Sequence, residues 1–321
     1  QPTVDRVKNT APIAAYGGSI QYVNTASAGV AYAETIGAVT TNAGQLDILE
    51  NTSQTGGSGN SQTLTLGGLT QSGTSVVTFS AIGNPDNYQT TTGLNATTNI
   101  IKVTGATQTP AGQIIGPWAT AGRWTSQQKD YAVYDASGNI VGANIANSAE
   151  TTWTSASNAY TMAATNYANG TNVNDSITVT LTGTRTITAL RNFGQNDTLN
   201  LGANNLYTYG LLQGGRNPWT INTGTGVVST PSGGGNLYIT AGSDDNNPFI
   251  YMNAPVTDNG GAVTLVKSGY NNLYLRGTNT YTGGTVLNAG TTYINAAAAS
   301  SFGTGTMTFA GGQIDTEAQL G

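Results

Sequence analysis

Two residue types are missing altogether. Cysteine is absent, which excludes disulfides and thiolate metal sites and is compatible with export. Histidine is absent too, removing the commonest general base, the commonest metal ligand and any Ser-His-Asp triad. Charge is scarce: Asp, Glu, Lys and Arg make up 8% of the chain, where about 25% is usual. The net charge of −5 is spread thinly, and the ten basic residues scatter from Arg6 to Arg276. No face could neutralise a run of phosphates, so nucleic acid is excluded as a partner. No run approaches the ~18 apolar residues that a membrane-spanning helix needs. Disorder driven by high net charge does not fit either.

What is present is small, turn-forming and β-prone. Glycine supplies 44 of 321 residues, about twice ordinary usage, and Asn, Thr, Ser and Ala fill most of what remains. Val, Ile, Leu, Tyr and Thr cluster in short period-2 runs, which predicts an all-β chain. In Thr63-Leu-Thr-Leu66 both leucines share one strand face and both threonines the other. Early strands are expected at Ile20–Val23, Gln45–Leu49, Thr63–Leu66, Val76–Phe79 and Ile100–Val103. From 177 onward they become regular and include Arg185–Leu190, Asp197–Leu201, Asn205–Tyr209, Trp219–Asn222, Asn236–Thr240 and Phe249–Met252. Asn-Leu-Tyr recurs at Asn205, Asn236 and Asn272, self-similarity that suggests successive layers of one architecture. Inward positions of such layers must be apolar, here Leu206, Leu237 and Leu273, while corners need the positive φ that Gly and Asn supply.

Three regions follow. Residues 1–110 read as an N-terminal cap and early β-coils; the segment 1–20 is either a cap or a piece that docks on a neighbouring chain. Residues 111–175 read as an irregular hairpin and loop region holding Trp118, Trp124 and Trp153. Within it, Tyr131–Asp135, then Ala-Ser-Gly138, then Asn139–Val141 is a hairpin signal. Residues 176–321 read as the regular part, with three strands expected per coil. A start at Gln1, without methionine or leader, is expected for an exported chain whose signal peptide has been removed, or for a piece of a longer one.

The stretch 260–295 carries the sharpest pattern. Lys267-Ser-Gly, Asn272-Leu-Tyr-Leu, Gly277-Thr-Asn-Thr-Tyr-Thr-Gly-Gly-Thr285 and Asn288-Ala-Gly290 resemble the autotransporter-associated β-strand repeat of large bacterial surface and secreted proteins. Residues 114–135 also look like a segment that precedes those repeats. The resemblance implies an all-β, right-handed parallel β-helix (β-solenoid), with a loop and hairpin insertion around 111–172, on an extracellular bacterial surface. Gly277, Asn279, Thr280, Tyr281, Gly283, Gly284, Asn288 and Gly290 are then corner residues of the repeat rather than an active site.

Candidate chemistry is thin. Asp244-Asp245 is the only adjacent carboxylate pair, and neighbours on a strand point to opposite faces, so they make no facing acid–base pair. Gly56-Gly-Ser-Gly-Asn-Ser approaches a calcium nonapeptide but has Ser61 where the aspartate belongs, so calcium is rejected. The Asn-x-Ser/Thr sequons at Asn51, Asn95, Asn169, Asn174 and Asn196 arise easily in such a composition. An outward stripe of Tyr207, Tyr238 and Tyr274 is the candidate for an interface or glycan contact, because Tyr is enriched at interfaces. The expectation is a non-enzymatic structural element without cofactor or metal, self-associating into a fibre, coat or adhesin shaft. A glycan-binding adhesin module is the alternative, and a polysaccharide-cleaving enzyme stands behind both.

Overall fold

The computed structural model describes residues 7–24, 31–52, 61–82, 94, 99–110, 113–123, 129–143, 165–166, 178–192, 196–215, 217–242, 249–295 and 300–317. The pair Asp244-Asp245, both Trp124 and Trp153, residues 56–60 of the calcium-like motif and three of the sequons (Asn95, Asn169, Asn174) lie outside them. Among the described residues every named element is a strand. The chain divides into two compact units: Gln1–Ser126 with Asp130–Ser148, and Gln127–Lys129 with Ala149–Gly321.

The first unit runs β1 (Ile13–Ala15), β2 (Gly18–Asn24), β3 (Ala31–Ile36), β4 (Val39–Thr41), β5 (Gln45–Thr52), β6 (Ser61–Leu66), β7 (Leu69–Gln71), β8 (Val76–Ile82) and β9 (Asn99–Val103). Every third strand pairs. β1-β4-β7, β2-β5-β8 and β3-β6-β9 form three sheets of parallel strands. In β6 the alternation is as read: Leu64 and Leu66 are buried and the intervening threonines half-buried. The sheets enclose a core of Ile36, Val39, Leu46, Ile48, Leu64, Leu66, Val77, Phe79 and Ile101, with Trp118 packed against it.

The expected irregular region is partly regular. β10 (Ala119–Arg123), β11 (Lys129–Tyr134) and β12 (Ile140–Gly142) extend the sheet of β2, β5 and β8. β10 adds in parallel onto β8. β11 and β12 make the antiparallel hairpin expected at 131–141. Gly138 turns it at φ +75, and the Asp135 carboxylate accepts from the backbone N–H of Ser137 and Asn139. The short period of Ala119–Arg123 is Ala, Thr and Gly, which carries too little hydrophobic contrast to announce a strand; pairing to Val77–Ala81 makes it one.

The second unit alternates between two sheets. β15 (Arg185–Asn192), β17 (Leu206–Gln213), β20 (Gly235–Ala241), β22 (Val263–Ser268), β24 (Gly284–Leu287) and β26 (Met307–Phe309) stack in parallel, preceded by β13 (Thr165–Asn166). Between them in sequence, β14 (Thr178–Thr180), β16 (Asp197–Asn200), β18 (Trp219–Asn222), β21 (Ile250–Met252), β23 (Leu273–Leu275), β25 (Thr291–Asn295) and β27 (Gln313–Glu317) stack in the other. Two strands per layer therefore repeat here, where three were expected. The two-residue β19 (Val228–Ser229), paired to the start of β17, and the Val228–Val256 bridge are what remains of a third side.

In-register columns make the core. Trp219, Ile250 and Leu273 stack in one sheet, and Leu190, Leu211 and Ile239 in the other. All six are fully buried, each worth about 1.5–3 kcal/mol of transfer free energy. Leu206, Leu237 and Leu273 face inward as expected. Hydroxyl and amide pairs tie equivalent positions of neighbouring layers, Thr240 to Ser268 at 2.7 Å and Asn253 to Asn222 at 2.7 Å.

Candidate functional site

Asn-Leu-Tyr turns out to be a strand clip. Asn and Tyr two apart lie on the same strand face, so the amide can reach the phenol. Asn205 Nδ2 donates to the Tyr207 hydroxyl at 2.8 Å and Asn236 Nδ2 to Tyr238 at 3.1 Å. The side chain of Asn272 hydrogen-bonds Tyr274 in the same way.

The three tyrosines neither share one column nor all face outward: Tyr238 is buried, and Tyr207 and Tyr274 are half-buried. Tyr207 stands beside Thr186 and Ser229, Tyr238 beside Gly210 and Val266, and Tyr274 lies in the other sheet. The cause is β17, whose first residues pair with β19 and whose last four pair with β20. The second Asn-Leu-Tyr is thereby displaced along the sheet relative to the first.

A different aromatic column forms instead. Tyr251, Tyr274 and Tyr293 are in register on successive strands, with Thr220 before and Asp315 after. Ring centroids are 4.7 Å apart at both steps, and Tyr274 and Tyr293 are stacked at 10°. Phe249 closes on Tyr251 edge-on at 6.4 Å and on Tyr274 at 5.6 Å. The Arg276 guanidinium lies 4.2 Å over the Tyr251 ring and 5.4 Å from Tyr274. It forks onto Glu317, with Nε at 2.9 Å from one oxygen and a second bond to the other. Aromatic pairs of this kind contribute ~0.5–1.5 kcal/mol each, and the half-exposed ion pair at most ~1 kcal/mol. Burial pushes the Tyr274 phenol above its ordinary range. The rings are half-buried, and much of their faces is spent on one another, so the column presents mainly ring edges and hydroxyls outward.

The sequence did carry a signal for this column. Ile250-Tyr-Met252, Leu273-Tyr-Leu275 and Thr292-Tyr-Ile294 each set one Tyr between two inward residues. Matching on Asn-Leu-Tyr passed over it.

The repeat-motif residues lie between strands, except that Gly284 opens β24, and one of them, Tyr281, turns into the core. Asn279 is buried and bridges layers: its Oδ1 accepts from Val256 N–H at 2.7 Å and its Nδ2 donates to the Ser301 carbonyl at 2.6 Å. Thr280 is exposed, its N–H bonded to the Val256 carbonyl. A Cβ on Gly277 would lie 2.8 Å from the Ala254 carbonyl oxygen, and one on Gly283 2.6 Å from that of Val263. Gly284 and Gly290 hold φ of +98 and +67. Asn288 is buried, its N–H donated to the Lys267 carbonyl at 2.9 Å. Tyr281 differs: it is wholly buried in the core with its hydroxyl 2.5 Å from Thr285 Oγ1, and burial pushes its phenol up to about 12. Replacing Asn279 with Ala leaves a buried N–H and a buried carbonyl unpaired, at ~1–3 kcal/mol each. Hydrogen exchange under denaturant, read on peptides of the second unit, should therefore report a loss of about 2–6 kcal/mol.

Lys267 explains the start of the motif. It occupies the interior column after Leu211 and Ile239 and before Leu287, fully buried. Its ammonium donates to the carbonyls of Ser268 (2.8 Å), Gly269 (2.9 Å) and Ala289 (3.0 Å). One side chain thus closes the corners of two adjacent layers, and burial pulls it down to about 7. Gly290 must lack a side chain because a Cβ would sit 2.9 Å from that ammonium and 2.4 Å from the Gly269 oxygen. Nearby, Asp258 accepts from Val263 N–H and from both the N–H and hydroxyl of Thr282. Burial raises its carboxyl, but these bonds together hold it below the usual range.

In the first unit Glu50 is fully buried and accepts from the backbone N–H of Leu64 at 2.9 Å. Burial pushes it up to about 9, against the backbone bonds from Leu64 and Ile100. Sequence reading passed over it, because nothing in Leu49-Glu50-Asn51 separates an outward acid from an inward one.

Among the described residues no group of three or more Asp, Glu, Cys or His is placed to hold a metal ion. No protein-family model, curated protein or solved structure matches the chain.

Proposed function

We propose that this chain is a structural protein of a bacterial cell surface, built as a right-handed parallel β-helix of the autotransporter-associated repeat type and acting as a building block without enzymatic activity. One observation carries the reading. The side chains most distinctive in the sequence are spent on holding one strand layer to the next: Lys267 on corner carbonyls of two layers, Asn279 on the layers on either side, and Tyr251, Tyr274 and Tyr293 on one another. A chain whose recognisable chemistry is used for stacking is suited to extension and rigidity. Protease shaving of intact cells that express it should release its peptides, and a high-resolution map should trace one continuous right-handed coil. Protection from the protease, or a left-handed or interrupted path, would sink the corresponding part.

A second reading, a glycan-binding adhesin module, is favoured by the column Phe249, Tyr251, Tyr274 and Tyr293 with Arg276 at its side. It offers ring edges and phenol hydroxyls on one half-exposed strip, groups that pack against and hydrogen-bond to sugars. Changing Tyr251, Tyr274 and Tyr293 together to Ser should leave circular dichroism unchanged and abolish retention on whichever polysaccharides a glycan array identifies. Unchanged retention removes this reading and leaves the first intact.

A further inference from the structure

We propose that the first strand layer of one molecule seats against the last strand layer of a second copy, so that copies join head to tail. The proposal rests on the reading of this chain as a structural building block and names the surfaces it would use. β1, β2 and β3 each end their sheet, and β26 and β27 end theirs, so that among the described residues these strands are paired on one side only. An unpaired edge is a template for another strand.

Exposed apolar side chains gather at these two layers. Among the described residues, five large hydrophobic side chains are exposed: Val7 (42%), Tyr16 (73%) and Val23 (43%) at the first layer, Phe309 (58%) at the last, and Tyr270 (48%) elsewhere. Phe309 is informative because its column is buried below it: Leu211, Ile239, Lys267 and Leu287 are all covered. Phe309 has the inward register of a core residue and lacks only the layer that would cover it. Ile314 similarly continues the column of Ile250, Leu273 and Thr292 and is half-exposed. Two other sheet ends are covered, all of β12 being buried and β9 exposing only Lys102 with Ile100 half-buried, whereas β7 and β14 are open but carry no exposed large hydrophobic side chain.

Charge selects the partner. Exposed Lys8 precedes β1, whereas the last layer carries exposed Asp315 beside Glu317. Joining two last layers would bring Asp315 toward its own copy, and joining two first layers would do the same to Lys8, both repulsive. First against last sets the exposed Lys8 toward the acidic last layer and avoids both repulsions, while β3 of the first layer carries its own acid, Glu34, half-buried in the register of Leu64. Joining first to last also continues the parallel pairing already used through both stacks, which a two-fold contact would have to reverse. Such a heterologous contact can be repeated from copy to copy, giving chains of molecules or closed rings. Only two strands of the last layer meet three of the first, so the junction forms at most two strand pairs, one fewer than between layers of the first unit.

The test uses the full 321-residue chain. Sedimentation velocity and negative-stain microscopy across a concentration series should show species lengthening with concentration. Phe309→Asp and Val23→Asp should each weaken association at least tenfold and stop growth. Mixed one to one, the two variants should give a heterodimer and nothing longer, since one keeps a free first layer and the other a free last layer. If either substitution perturbs folding by circular dichroism, Lys8→Glu and Asp315→Lys replace them; each should weaken association, and the two changes combined in one chain should restore it. A monomer at every concentration overturns the proposal, as does a variant that dimerises alone or a mixture that forms no heterodimer. Such a failure alongside release by surface shaving would remove this contact and leave the surface assignment standing.

Discussion

Gly269→Ala should destabilise the second unit by about 2–5 kcal/mol or more and leave the first unit unaffected. Two penalties add. Gly269 holds φ +76, a left-handed conformation that costs an L side chain ~1–2 kcal/mol. A Cβ there would also lie 1.8 Å from the Ala241 carbonyl oxygen and 2.7 Å from its carbon. Those atoms are backbone of the preceding layer and cannot rotate aside, so the layers must part, at ~1–3 kcal/mol or more. The same shift pulls the Gly269 carbonyl away from Lys267. Gly202→Ala is the control: φ is +62, but nothing lies within 4 Å of the added carbon, so only the conformational ~1–2 kcal/mol should be lost. Hydrogen exchange across a urea series, read on peptides of the second unit, measures both. Equal losses would show that corner conformation alone, and not the close approach of layers, decides the requirement for glycine.

The two units should respond to pH in opposite directions. Glu50 keeps its proton to about 9 when folded, against 4.5 in the unfolded chain. Between those values the folded first unit binds more protons, so its stability falls as pH rises. Lys267 releases its proton near 7 when folded, against 10.5 unfolded. Between 7 and 10.5 the unfolded chain binds more protons, so the second unit gains stability as pH rises. Each proton is worth at most about 1.4 kcal/mol per pH unit, several kcal/mol across either window. Hydrogen exchange, normalised to intrinsic rates and read peptide by peptide, separates the units. Glu50→Gln should flatten the profile of the first and Lys267→Met that of the second. Lys267→Met should also weaken the second unit at neutral pH by about 2–4 kcal/mol, because three corner carbonyls lose their donor. Parallel profiles in both units, or slopes that survive the substitutions, would refute this assignment.

Both residues mark the limit of local reading. Val-Lys-Ser at 266–268 and Leu-Glu-Asn at 49–51 look like ordinary strand ends, where a charge is expected in water. Burial comes from the neighbouring layer: Ile239 and Leu287 enclose the Lys267 stem, and the corner carbonyls that receive its ammonium come from residues 268, 269 and 289. The aromatic column was hidden for a related reason. Which tyrosines align depends on how many residues each corner consumes, and β19 spends part of β17 before β20 arrives.

By itself the sequence determined that the chain is all-β, where its hairpin at 131–141 turns, that Leu206, Leu237 and Leu273 face inward, and that glycines and asparagines of the 277–290 motif make corners. These properties are local: period-2 alternation sets a strand's two faces, and positive φ selects glycine one residue at a time. The tertiary structure alone decided three strands per layer in one unit and two in the other, the burial of Glu50, Lys267 and Tyr281, and the stacking of Tyr251, Tyr274 and Tyr293. Those depend on register between segments roughly 20–30 residues apart, and register follows from how every layer settles on the last.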